Sequence, residues 1–254
     1  MFGALCCALV QAAPPKQTAA FGVALDATPE VVRTFLAQRY DRCNVARSVY
    51  RQRSGDTAPR TAGLAINPGL AAHDPASLTP CTYSPAGEGI VDAIEARFAH
   101  PDVDPQQRLY WLEAFRAYPD VVQTDPPRVR ITFETVRSEL FRTYGKPIDE
   151  RRERIVSYAA SAATSLGVAR KVRRDDYLMR YLWAAQGRLR EAAQDEAACE
   201  CTGRHVEAII EISRSPSTVP RNQLYPLSLR LIVVDPALRR GQDAWNARWQ
   251  QPKR

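Results

Sequence analysis

A thirteen-residue segment occurs twice in this chain, and nothing else in the sequence limits the possible folds as strongly. Thr28-Pro-Glu-Val-Val-Arg-Thr-Phe-Leu-Ala-Gln-Arg-Tyr40 aligns without a gap on Thr132-Phe-Glu-Thr-Val-Arg-Ser-Glu-Leu-Phe-Arg-Thr-Tyr144, with six identical positions. A second echo follows each copy, first Val91-Asp-Ala-Ile94 and then Val206-Glu-Ala-Ile209. Two echoes in the same order imply a duplicated unit. The expected fold class is α+β: two repeated modules, over 19–120 and 127–240, each a helix or helical pair packed on a short antiparallel sheet.

Local signals fill in those modules. Thr28 and Thr132 stand where N-caps belong, with Pro29 at the first helical position and Glu30 in the first turn, where the helix dipole favours a carboxylate. Val31, Val32, Phe35, Leu36 and Tyr40 share one helical face, and Phe133, Val136, Leu140 and Tyr144 share another. Gly145 suits the residue after the second helix, and Pro147 prevents a restart. Strands are expected near 21–25, 48–51, 62–66, 90–99, 109–115, 206–212 and 227–234. The segment 90–99 fits either period, and its β-branched echo at 206–212 decides for strand. A helical addition is expected over 148–182, built on a helix from Asp149 to about Leu166 with Ile155, Val156 and Ala159 inward. A tail helix over 241–254 carries Trp245 and Trp249 one turn apart.

Charge does not by itself identify a partner. The chain has a net charge of +7, and 31 of its 35 basic residues are arginine. These arginines are spread along the sequence, whereas a phosphate-binding footprint is a stripe or patch, so nucleic acid is not expected as a partner. The densest basic cluster is Arg170, Lys171, Arg173 and Arg174. It is a candidate for contact with an anionic patch on another protein or with an anionic membrane surface. Trp245 and Trp249 complete the predicted binding set, because paired tryptophans are typical interface anchors.

Residues 1–12 form a short, uncharged apolar run ending in small residues, which reads as a signal peptide without its basic start. The other reading is an apolar first turn of a cytosolic protein. The run is too short to span a bilayer, and no transmembrane span is expected in the mature chain. Removal of the leader leaves Cys43, Cys81, Cys199 and Cys201, two in each expected module, so one disulfide per module is expected in a periplasmic or secreted protein.

Catalytic signatures are missing from the sequence: it contains no nucleophile elbow, phosphate-binding loop or dinucleotide fingerprint. His73 lies in a proline-rich loop and His100 just before Pro101, and both read as solvated. Cys199-Glu-Cys201-Thr-Gly-Arg-His205 brings two thiols and an imidazole close enough to converge on zinc. With no evident fourth ligand, the disulfide is preferred and neither a metal nor another cofactor is assigned.

The pattern Thr-x-Glu-x-Val-Arg-x-x-Leu-x-x-x-Tyr-Gly-x-Pro, read from Thr132 to Pro147 and preceded in the first copy by the strand from Gly22, resembles the small envelope modules of the SmpA/OmlA lipoproteins and the β-lactamase inhibitor protein. The first copy departs from it, with Asp41-Arg-Cys in place of Gly145-Lys-Pro, and 148–182 has no counterpart. No binding residue transfers. The resemblance implies a class of function, which is non-catalytic recognition of another envelope protein. Two alternatives stay open: an envelope hydrolase using a carboxylate pair, and a basic cytosolic nucleic-acid-binding protein.

Overall fold

Most of the chain is drawn into one sheet. The computed structural model describes residues 15–50, 59–67, 81, 83–87, 89–118, 131–160, 171–189, 199–214 and 224–250. The elements in chain order are β1 (Ala19–Ala20), β2 (Val23–Ala24), α1 (Pro29–Arg39), β3 (Ala46–Val49), β4 (Thr61–Ile66), β5 (Val91–Phe98) and β6 (Leu109–Ala117). Then follow α2 (Phe133–Tyr144), β7 (Asp149–Ala160), β8 (Lys171–Ala184), β9 (His205–Arg214), β10 (Leu224–Val234) and α3 (Pro236–Gln250). Strands β1 and β2 form a small ribbon, and the other eight make an antiparallel sheet in the order β3-β4-β5-β6-β10-β9-β8-β7.

This architecture overturns the expected pair of helix-on-sheet modules. Strands β6 and β10 are hydrogen-bonded from Ala117↔Ser228 to Trp111↔Val234, so the sheet does not divide. Packing agrees with that continuity. Val32 and Leu36 of α1, Val136 and Leu140 of α2, and residues of both halves of the sheet form a single buried cluster. The molecule is mostly β.

The helical addition over 148–182 is also corrected. Asp149–Ala160 is β7, paired residue for residue with β8 from Asp149↔Leu182 to Ala160↔Lys171. The charged run Asp149–Arg154 carries good helix formers, but a twelve-residue ladder outweighs their weak propensity. An edge strand tolerates charge on both faces, and here each charge finds company. Arg152 lies over the Tyr177 ring at 4.1 Å, and Arg180 reaches Glu153 at 3.6 Å. The tail helix begins at Pro236, five residues before its expected start. The expected leader over 1–12, the end of the expected helix at Leu166, His73 and Arg170 lie outside the described residues.

Alternation along the strands decides what each face carries. Ile94, Ala96 and Phe98 of β5, Leu231 and Val233 of β10, and Val206, Ala208 and Ile210 of β9 join the cluster under α1 and α2. Gly22 lets the β1–β2 turn sit on α1: its φ is 92°, and a Cβ there would lie 2.8 Å from the Phe35 ring. The intervening residues carry charge. Glu113 of β6 pairs with Arg230 of β10, while Arg180 of β8 pairs with Glu207 of β9 at 2.5 Å.

One carboxylate belongs to the apolar side. Asp92 is fully buried, accepts two hydrogen bonds from Arg116 Nε and Nη2 at 2.7 and 2.9 Å, and a third from the Tyr40 hydroxyl at 3.0 Å. Tyr40 ends the stripe of α1, and its counterpart Tyr144 donates to the Ala19 carbonyl at 2.7 Å. Removing Arg116 leaves a buried charge without its cation. Arg116→Ala is expected to cost about 3 kcal/mol, the low end for a broken buried pair, measured by urea unfolding. A loss below about 1 kcal/mol would show that Asp92 does not depend on this partner.

The buried phenols predict how the fold fails in alkali. Burial pushes the Tyr118 and Tyr181 hydroxyls up to about 12, and those of Tyr40, Tyr50 and Tyr144 upward as well. In the unfolded chain a tyrosine ionises near ~10. The folded values lie above the unfolded one, so their stabilisation is complete below ~pH 10 and is lost as pH rises from there through about 12. Tyrosinate absorbance from these rings is expected to appear together with loss of near-UV circular dichroism. Full ionisation near pH 10 with the tertiary signal intact would contradict this.

Candidate functional site

A concave feature lies between α3 and the sheet face opposite α1 and α2. Helix α3 starts well because Asp235 caps it: Oδ1 accepts from the backbone N–H groups of Ala237 and Leu238 at 3.0 and 3.1 Å, and Pro236 follows at the first position. Arg204 fixes that cap from outside, donating to Asp235 Oδ2 at 2.9 Å and to Asp26 Oδ2 at 3.1 Å. The hydrogen bond from Arg204 holds the Asp26 carboxyl below the usual carboxylate range.

A second set of contacts seats the middle of α3. Buried Gln242 accepts from the His100 backbone N–H at 2.7 Å and donates to Asn246 Oδ1 at 3.0 Å. Trp245 stacks on the His100 ring with centroids 4.0 Å apart and an interplanar angle of 20°. Its indole N–H donates to Asp102 at 3.1 Å. Tyr50 meets both rings edge-on, at 4.9 Å from His100 and 5.6 Å from Trp245, and its hydroxyl donates to the Phe98 carbonyl. His100 is therefore buried, contrary to the solvated surface expected of a residue before Pro101. The physical reason is α3, which folds over it.

Beside this anchor runs a cleft of about 430 Å³, lined by Arg47, Ser48 and Tyr50, by Gly63 and Ala65 of β4, by Glu95 and Arg97 of β5, and by Tyr110, Gln242 and Asn246. Arg97 holds Glu95 at 2.9 Å and lies 4.3 Å over the Trp111 ring. Glu95 is the one carboxylate among the described lining residues, and it is neutralised by Arg97. The paired carboxylates that glycoside hydrolysis uses are not brought together here. Amides, guanidinium groups and aromatic edges suit the cleft to polar recognition.

The predicted binding residues separate into two places. Trp245 is half-buried in the anchor, and Trp249, one turn on, is 52% exposed with its ring 6.0 Å from that of Trp245. Lys171, Arg173 and Arg174 lie on β8, opposite Ala160, Tyr158 and Ser157 of β7. They stand three strands away from β6, the strand on which α3 packs, so the basic cluster and the tryptophans do not form one surface. Sequence reading missed Tyr50, Gln242 and Asn246. The signal was present in the spacing of Gln242, Trp245, Asn246 and Trp249, which puts all four on one face of a helix.

Both expected cysteine pairs are at disulfide distance, Cys43 with Cys81 at a Cα separation of 5.6 Å and Cys199 with Cys201 at 5.3 Å. Near the second pair, His205 is buried and burial pushes its imidazole below its ordinary value. Among the described residues no helix is long and apolar enough to cross a membrane. Comparison with known proteins finds no matching family model, no similar curated protein and no similar solved structure.

The two tryptophans are expected to behave differently on truncation. Trp245→Ala should lower stability by about 2 kcal/mol, less than the ~3–5 kcal/mol of a full core tryptophan because the ring is half-buried. Trp249→Ala should change it by no more than about 0.5 kcal/mol. Thermal melts of the two variants check this, and equal losses would reject the described anchoring of α3.

Proposed function

We propose that this chain is a non-catalytic binding protein of the cell envelope or the extracellular space, which grips an extended, acidic segment of another protein between α3 and strands β3–β6. The observation that carries this reading is a cleft lying alongside an outermost strand. Among the described residues, strand β3 is paired on one side with β4, stands last in the sheet, and has all four residues exposed. Its other edge is able to pair with an added strand, whose alternate side chains would enter the cleft. With Glu95 neutralised by Arg97, Arg47 leaves the described lining net positive, so the cleft is complementary to a negative segment. Trp249 at the open end of α3 offers an aromatic contact.

The cysteines support this compartment. Two cysteine pairs at disulfide distance support an oxidising location, in keeping with the reading of 1–12 as a leader. The likeness of Thr132–Pro147 to envelope modules supports the same class of function.

A photo-crosslinking residue placed at Ser48 or at Asn246 tests the reading in the full chain. Both positions are expected to label the same envelope protein, while a control at Glu134 on α2 labels none. Arg47→Glu should weaken that capture by about tenfold, and added salt should weaken it further. Equal labelling from all three positions, or capture indifferent to Arg47→Glu, would remove the cleft as the site.

A further inference from the structure

A second cluster, outside the cleft lining, carries chemistry that binding a protein segment does not use. Past β8 the chain turns through Gly187, and Leu189 bridges to Cys199 just before the chain enters β9. The turn is clamped across its width: the Glu200 N–H donates to the Arg188 carbonyl at 3.0 Å, and the Arg188 guanidinium donates to the Glu200 carboxylate at 2.7 Å. Gly187 has a φ of 149°, and a Cβ there would lie 3.0 Å from the Glu200 carbonyl oxygen, so the two arms of the turn touch directly. Within this fold the sulfurs of Cys199 and Cys201 and a ring nitrogen of His205 all lie within 4.8 Å of one another.

His205 is prepared as a ligand. It is 4% exposed, and its Nδ1 lies 3.1 Å from the Gly203 carbonyl oxygen. A carbonyl only accepts, so Nδ1 carries the proton and Nε2 keeps its lone pair. That Nε2 is buried and has no hydrogen-bond partner among the described residues. Leaving a buried acceptor unmade is costly, and a backbone carbonyl holding the opposite ring nitrogen is how metal-binding histidines are oriented. The disulfide gives a second reason. A bridge across a separation of 38 residues, as at Cys43–Cys81, restricts the unfolded chain substantially, whereas one across a separation of 2 restricts it little. Stability through chain entropy therefore does not account for pairing Cys199 with Cys201.

We propose that Cys199, Cys201 and His205 form a redox-gated site for a thiolate-preferring cation of the Zn²⁺ class, closed as the disulfide and opened by reduction. An external dithiol attacks the Cys199–Cys201 bond and departs as its own disulfide, so that two electrons and two protons end on the cysteine sulfurs. The cation displaces those two protons and takes both thiolates and the imidazole. Two thiolates balance its charge, which suits a partly buried place, and three protein ligands leave one position open to water or a further ligand.

Zn²⁺ binding by the full chain tests this. The protein is reduced with excess dithiol, desalted without oxygen and titrated with Zn²⁺ against a chromophoric chelator. The reduced chain is expected to bind one more Zn²⁺ than either the oxidised chain or the reduced Cys199→Ser/Cys201→Ser variant. A Cys43→Ser/Cys81→Ser variant should retain that equivalent. His205→Ala should weaken it by more than the about 10–100-fold that outer partners of a metal ligand command, and His205→Cys should restore it. Co²⁺ on the reduced wild-type chain should show thiolate charge-transfer absorption, a readout that depends on no variant folding. The proposal is overturned by a reduced chain that binds no more Zn²⁺ than Cys199→Ser/Cys201→Ser. It is equally overturned by a Co²⁺ spectrum without the thiolate band, or by His205→Ala with unchanged affinity.

Discussion

The ladder between β6 and β10 is the interaction on which the rest of the structure depends. Strands β3–β6 and β7–β10 each run as a meander, and without that ladder they would expose two long central edges. Pairing them fixes Phe115 opposite Arg230 and Glu113 opposite Ile232, which sets Glu113 and Arg230 diagonally across the seam, where they form an ion pair. A shift by one residue would carry Leu229, Leu231 and Val233 out from under the helices and place Arg230 in the core. The seam thus fixes register, and register decides which face is apolar.

The charges opposite the helices follow from the same constraint. Glu113, Arg180 and Glu207 are each at most 5% exposed, and every one has an oppositely charged partner within the sheet. Pairs this buried add little net stability, because desolvation offsets their attraction, yet breaking one leaves an uncompensated charge. They act against misregistered pairings more than they act as glue. Asp92 is the corresponding case on the helix side, where Arg116 and Tyr40 make burial of a carboxylate tolerable.

Much of the local structure was legible because short-range chemistry controls it. Thr132 accepts from the Thr135 N–H at 3.2 Å as a cap should, Gly145 takes a φ of 90° after α2, and Leu36, Tyr40, Leu140 and Tyr144 are all buried. Joining of the sheets was not legible, since the β6–β10 ladder links strands more than a hundred residues apart through backbone groups that every residue carries. Asp149–Arg154 misled for the opposite reason: their local preference is helical, and only β8 overrides it. At the cleft, Trp245 and Trp249 stood out by residue type. Tyr50, His100 and Gln242 did not, because their role comes from α3 folding back onto the turn after β5.

The shape of the cleft is set by how unevenly α3 is held. Its first turn is pinned by Asp235 and Arg204, its second by Gln242 on the His100 backbone, and its third by Trp245 on the His100 ring. Gly241 allows the close approach, since a Cβ there would lie 2.9 Å from Val103. Beyond Trp245, the residues Ala247, Arg248 and Trp249 are exposed. A helix fixed over three turns and exposed at its fourth gives one rigid wall and one accessible rim. On the proposed reading, the rigid wall would hold Gln242 and Asn246 in place before a partner arrives, which would lower the ordering cost of binding. The exposed turn leaves Trp249 at the margin, where, in the proposed complex, its ring would close over a segment lying along β3.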